Sequence, residues 1–260
     1  MERMVRVHRF VALGDSFTEG LSDLYPDGRP RGWADLVADV LAGESEEFSY
    51  ANLAVRSLRI DAIVERQLPV AVALRPDLAS VAGGANDLLG LRVDVDHVVS
   101  RLDEVIRTLR AAGSEVVVFA GFDARAQLPT GRLLTSRTIT YNHGIRASAA
   151  AHGAMLIDLW SMRELWDPRL WSEDRLHMST TGHRHIARVV LQTLGHQAPD
   201  DWRLPVEPPR GRSWLAARGA ELTWSRQHLV PWAVRKIRGR SMGDGRSPKY
   251  PDLVRWQPER

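Results

Sequence analysis

The sequence predicts an α/β fold in which a parallel sheet lies between two layers of helices. Three observations predict it. From residue 8 to about residue 195, short apolar runs alternate with segments of helical period. The run EVVVFAG is almost continuously apolar, as a strand covered on both faces must be. The segments between apolar runs are long enough to carry crossover helices, which parallel strands require.

Taken in order, HRFVALGD reads as the first strand, RGWADLVADVLAG as a helix stopped at Gly43, and FSYANLA as the second strand. LRIDAIVERQL follows as a helix and DLASVAGG as the third strand. Val95, Val98, Val99, Leu102, Val105, Ile106 and Leu109 then recur at helical spacing until Gly113 ends them. EVVVFAG is the fourth strand. A helix near 134–152, the strand AMLIDLW and a helix near 179–194 complete the body. Prolines at 199, 205, 208 and 209 mark a change of composition, so residues 1–196 are expected to form one domain and 197–260 an extension. Within that extension, residues 212–238 predict one or two helices broken by Pro231, and the final stretch, GRSMGDGRSPKYPDLVRWQPER, predicts irregular chain.

Composition narrows the chemistry. Among 260 residues there is no cysteine, which excludes disulfides, thiolate metal sites and a cysteine nucleophile. Any nucleophile is therefore oxygen or nitrogen. Residues 201–260 carry 13 basic and 6 acidic side chains, a formal +7, against −4 for residues 1–200. A basic extension of this kind can associate with a peripheral anionic surface through unspecific Coulomb attraction, but no nucleic-acid-binding motif accompanies it. It also holds Trp202, Trp214, Trp224, Trp232 and Trp256, five of the nine tryptophans. Leaving so much aromatic surface in water is costly, so the extension is expected to dock on the body through Trp214, Leu222 and Trp232 with its arginines outward. The amino terminus lacks the apolar core of a secretory signal, and no apolar run approaches the ~18 residues of a spanning helix. A cytoplasmic protein is expected.

The candidate chemistry lies where strands end. Ser16 follows the first strand in ALGDSFTEG, and ligands of parallel sheets bind outside the carboxyl ends of the strands. The second strand ends in NLAVRS and the third in GGAND, so Asn52, Arg56, Ser57, Gly84, Asn86 and Asp87 reach the same edge as Ser16. The uncharged amide of Asn86 could donate to a developing oxyanion, or it could simply cap a loop. In WSEDRLHMSTTGHRHIA, Asp174 and His177 are three apart, close enough for the carboxylate to fix the imidazole while its other nitrogen faces Ser16. Two other readings stand beside this one: a capping aspartate with an incidental histidine, and a zinc site built from His177, His183 and His185. No HExxH-type base accompanies those histidines.

With these blocks in sequence order, residues 8–195 resemble the SGNH hydrolases, also called the GDSL esterase and lipase family. The resemblance implies a flavodoxin-like three-layer body and a cofactor-free, metal-free serine hydrolase acting on small-molecule esters. It assigns Ser16 as nucleophile, Asp174 and His177 as orienting acid and base, and the donors of Ser16, Ser57 and Asn86 as the oxyanion hole. Asp15 and Gly84 fall beside the substrate. Ser57 departs from the family pattern, which has glycine there; a serine can supply the same backbone N–H where the conformation does not demand glycine. The polar loops after Ser16 and after the fourth strand point to short acyl groups on polar alcohols. A non-catalytic relative that binds an anionic surface through residues 201–260 is the alternative.

Overall fold

The computed structural model describes residues 4–90, 92–125, 127–128, 131–204 and 242–258. Strands β1 (Arg9–Gly14), β2 (Ser49–Asn52), β3 (Leu78–Ala82), β4 (Glu115–Ala120) and β5 (Met155–Asp158) are parallel. A sixth, β6 (Tyr250–Arg255), completes the sheet in the order β5-β4-β3-β1-β2-β6. The helices are α1 (Ser16–Glu19), α2 (Gly32–Glu44), α3 (Ile60–Ala62), α4 (Leu68–Leu74), α5 (Ala85–Leu88), α6 (Val95–Ala111), α7 (Gly131–His152) and α8 (Thr180–Thr193). A π turn, Ile63–Gln67, joins α3 to α4.

Strand alternation builds two cores from one sheet. Phe10, Ala12, Val117 and Phe119 face Trp33, Leu36 and Val37 of α2 and Ile186 and Val190 of α8. Val11, Leu13, Val116 and Val118 face Ile60, Ile63, Leu102, Val105, Ile106 and Tyr141 on the opposite side. The expected three-layer α/β/α architecture is thus present. The connection after β1 runs to β2 on one side and the connection after β3 runs to β4 on the other, so a crevice opens between the carboxyl ends of β1 and β3.

The expectation of an irregular carboxyl terminus is corrected. β6 pairs antiparallel with β2, Tyr50 opposite Val254 and Asn52 opposite Tyr250, with a register shift between them. Most of this strand is exposed, so it lacks the apolar alternation that reveals a half-buried strand. Its edge position also tolerates Pro251, which has no N–H to give. Residues 250–255 therefore belong to the sheet of the body, on the far side of the boundary expected at 196. Trp202 and Trp256 are buried against the first core, and the Trp256 indole donates to Asp39 Oδ1 at 2.8 Å. The predicted helical part, 212–238, with Trp214, Trp224, Leu222 and Trp232, lies outside the described residues.

An ion pair fastens this strand to the body. Lys249 Nζ lies 2.7 Å from Asp35 Oδ1 and donates to the carbonyls of Pro30 and Arg31 at 3.2 and 2.6 Å. Asp35 is fully buried and also accepts from Tyr50 and Tyr25 at 2.9 and 3.2 Å. Burial raises the carboxyl and lowers the ammonium, and each charge pulls the other back. Removing one member leaves an uncompensated buried charge. Lys249→Met is expected to cost about 3–5 kcal/mol, read as a lower melting temperature, with most of it recovered in Lys249→Met/Asp35→Asn. An unchanged melting temperature in the single variant would contradict the role given to the pair.

Candidate active site

The turn that leaves β1 is built around Gly14. Its φ is +151°, and a Cβ there would lie 2.5 Å from the carbonyl oxygen of Ala82, so no larger residue fits without displacement. The buried Gln67 side chain accepts from the Gly14 N–H at 2.8 Å and donates to its carbonyl at 2.9 Å. Both polar groups are thereby satisfied where the strand ends. Asp15 then caps α1, accepting from the Phe17 N–H at 3.1 Å. Ser16 follows as the first residue of α1.

Asp174 and His177 are presented by a loop closed on itself. Trp171 and Met178 form an isolated bridge, and the Ser172 N–H donates to the His177 carbonyl at 2.8 Å. Inside it, Asp174 Oδ1 accepts from Ser172 Oγ, Leu176 N and His177 N at 2.7, 2.9 and 3.0 Å. Its Oδ2 lies 2.6 Å from His177 Nδ1, while His177 Nε2 lies 3.0 Å from Ser16 Oγ. The partners set the tautomer: Nδ1 carries the proton toward the carboxylate, and Nε2 is left to accept from the hydroxyl. Burial alone would raise the Asp174 carboxyl, but its hydrogen bonds and the His177 charge outweigh this and hold it well below the usual carboxylate range. A hydroxyl held this way has the geometry of an activated nucleophile.

The remaining expected residues divide. Ser16, Ser57, Asn86, Asp15, Asp174 and His177 all line one cavity of about 820 Å³. Gly84 is not among the lining residues, whereas its neighbour Gly83 is. Gly84 has φ +89°, and a Cβ there would meet Val98 and Tyr141 at about 3 Å, so its glycine serves packing. Ser57 also adopts positive φ, +65°, a conformation that costs a non-glycine residue about 1–2 kcal/mol. Among the described residues no acceptor takes the N–H of Ser16 or Ser57. Both hydrogens of the Asn86 amide, by contrast, have acceptors, Asp15 Oδ2 at 2.8 Å and the Leu58 carbonyl at 3.0 Å. Of the other edge residues, Asn52 is buried and bonded to Thr18 and Tyr50, Arg56 pairs with Glu19, and Asp87 accepts from the Ile60 N–H.

The three histidines do not converge. His183 is buried, accepts at Nδ1 from the Trp33 N–H at 3.1 Å and donates from Nε2 to the Leu21 carbonyl at 3.2 Å. Burial brings it down to about 4, so it stays neutral. Among the described residues no group of three or more His, Cys, Asp or Glu side chains is placed to hold a metal ion.

Residues that the sequence did not single out supply most of the cavity wall. Phe119, Phe122, Leu128, Leu134, Tyr141 and Trp171 make it largely apolar. Within the two polar loops Arg29 pairs with Asp27, Arg31 with Asp23 and Arg125 with Asp123. Among the described residues no helix is long and apolar enough to cross a membrane.

Burial pushes the Asp15 carboxyl up to about 6, against the pull of the Phe17 N–H and the His177 charge. Folding therefore favours its protonated form, and this contribution to stability is lost as pH rises from 3.8 to about 6. Asp15→Asn removes the buried charge. It is expected to raise the melting temperature at pH 8 and to leave it unchanged at pH 4. An equal shift at both pH values would contradict the raised carboxyl.

Among solved structures, a catalytic mutant of Axe2, an acetylxylan esterase from Geobacillus stearothermophilus, superimposes with a TM-score of 0.62 at 16% identity, covering 77% of this chain and 97% of that one. TesA superimposes with 0.60 at 21% identity over 72% and 97%. A psychrotrophic esterase, EstA from Pseudoalteromonas sp., gives 0.58 at 15% over 72% and 97%. At these identities the likeness is one of fold. No curated protein matches in sequence. The sequence profile of the GDSL-like lipase/acylhydrolase family matches residues 12–185, two thirds of the chain and every block from Ser16 to His177. The chain belongs to the GDSL-like lipase/acylhydrolase family and is an ester-hydrolysing enzyme.

Proposed function

We propose that the protein hydrolyses carboxylic esters of apolar acyl groups through a covalent acyl-enzyme on Ser16. The observation that carries this reading is the unbroken chain from Ser16 Oγ through His177 to Asp174, at 3.0 and 2.6 Å. Ser16 Oγ attacks the ester carbonyl as His177 Nε2 takes its proton. Asp174 holds the ring and stabilises the imidazolium. Collapse of the tetrahedral intermediate breaks the ester C–O bond, and His177 returns the proton to the leaving alcohol. A water molecule, deprotonated by His177, then attacks the acyl-enzyme, and the carboxylic acid leaves as the proton goes back to Ser16.

The N–H groups of Ser16 and Ser57 are the donors available to the oxyanion in the resting site. Asn86 joins them by giving up the Leu58 carbonyl or sharing a hydrogen with it. The acyl group belongs in the apolar chamber between β4 and α7. Sites of roughly 300–1,000 Å³ hold drug-sized ligands, so about 820 Å³ is far more than an acetyl group needs. This favours longer acyl chains than the polarity of the loops implied. The non-catalytic alternative finds no support in a site where serine, imidazole and carboxylate are all in hydrogen-bond contact.

Ser16→Ala and His177→Ala should each abolish most turnover of p-nitrophenyl octanoate while the protein stays folded. Asn86→Ala should lower kcat by about 10²–10³ with little change in KM. Equal, mild losses in all three would contradict the assignment. Across p-nitrophenyl esters, kcat/KM should rise from acetate to octanoate; a maximum at acetate would contradict the acyl chamber.

A further inference from the structure

The family match ends at residue 185, yet two residues near the carboxyl terminus, Met242 and Asp244, line the same cavity as Ser16 and His177. Topology explains how they reach it. β6 runs antiparallel to β2 with Tyr250 opposite Asn52, so the chain entering β6 lies at the carboxyl end of β2, the edge that carries Ser16 and Ser57. The segment is tied to the body through Lys249 and closed by a turn of its own. Lys249 is anchored on Asp35, Pro30 and Arg31, and Arg246 closes a turn by donating from its N–H to the Gly243 carbonyl and from Nε to the Met242 carbonyl, both at 3.1 Å.

The cavity has two chemically distinct parts. Phe119, Leu134 and Tyr141 make its interior apolar, whereas the charged lining residues Arg59, Arg66 and Asp244 are all exposed. An acyl chain buried in the apolar part leaves the alcohol at the charged rim, where a carboxylate can accept from its hydroxyls and a methionine can cover its carbon skeleton.

We propose that Met242 and Asp244 form the alcohol subsite of the enzyme, selecting esters whose alcohol carries further hydroxyl groups. This rests on the acyl-enzyme reading of Ser16. Its test follows from the kinetics of such an enzyme: esters of one acid share one acyl-enzyme, so discrimination among their alcohols appears in kcat/KM. With the full chain and a fixed octanoyl group, the ratio of kcat/KM for glyceryl octanoate to that for ethyl octanoate should fall about tenfold in Asp244→Ala, the loss expected for a hydrogen bond to a charged group. Met242→Ala should lower kcat/KM for glyceryl octanoate severalfold. The acyl-length profile on p-nitrophenyl esters should be unchanged in both. An unchanged alcohol ratio in Asp244→Ala, or a shift in acyl-length preference instead, would overturn the subsite while turnover remained dependent on Ser16. Turnover that survives Ser16→Ala would overturn the underlying reading, and the subsite with it.

Discussion

The reversal of strand order at β1 is the constraint on which the site depends. β2 and β3 lie on opposite sides of β1, so the connections that leave the carboxyl ends of β1 and β3 run apart, one to β2 and the other to β4. Into that gap come the turn after β1, the loops after β2 and β3, and the loop before α8. Ser16 and His177, 161 residues apart, meet there at 3.0 Å. What aims Ser16 is the end of β1 itself: Gly14 admits the close approach of β3, and Gln67 ties both of its polar groups to the π turn on the other side. A hydrolytic serine needs its neighbours held to fractions of an ångström, and rigid strand ends with satisfied backbone groups provide this better than free loops.

Three buried or part-buried carboxylates show how differently one fold treats the same group. Asp174 collects donors from three residues of its own loop and stays ionised. Asp35 is held by a lysine and two tyrosines, which secure the last strand. Asp15 is the least compensated, with two donors and deep burial, and its carboxyl rises to about 6. That carboxylate also accepts from Asn86, so the charge least favoured by its surroundings fixes a side chain that lines the cavity.

Much of this was legible in the sequence. The five parallel strands announced themselves as short apolar runs, the blocks around Ser16 and Asn86 through their places at strand ends, and His177 through its spacing from Asp174 just before the last helix of the body. The misses have physical causes. β6 is an exposed edge strand containing proline, with no apolar alternation to read. Gly83 and Gly84 are adjacent, and only backbone geometry decides that one faces the cavity while the other packs under Val98 and Tyr141. The left-handed conformation of Ser57 leaves no mark on residue type. The cavity wall comes from Phe119, Leu134, Tyr141 and Met242, on three separate elements, which become neighbours only after folding.

His177 and Asp174 are proposed to make Ser16 nucleophilic. Labelling the folded, full-length protein with a fluorophosphonate, followed by mass spectrometry of the intact protein and its peptides, tests it most directly, because the reagent reacts with activated serines irrespective of substrate preference. One adduct per chain is expected, located on Ser16, with labelling slowed at least about a hundredfold in His177→Ala. Absence of an adduct, an adduct at another serine, or labelling of His177→Ala at the rate of the unaltered protein would contradict it.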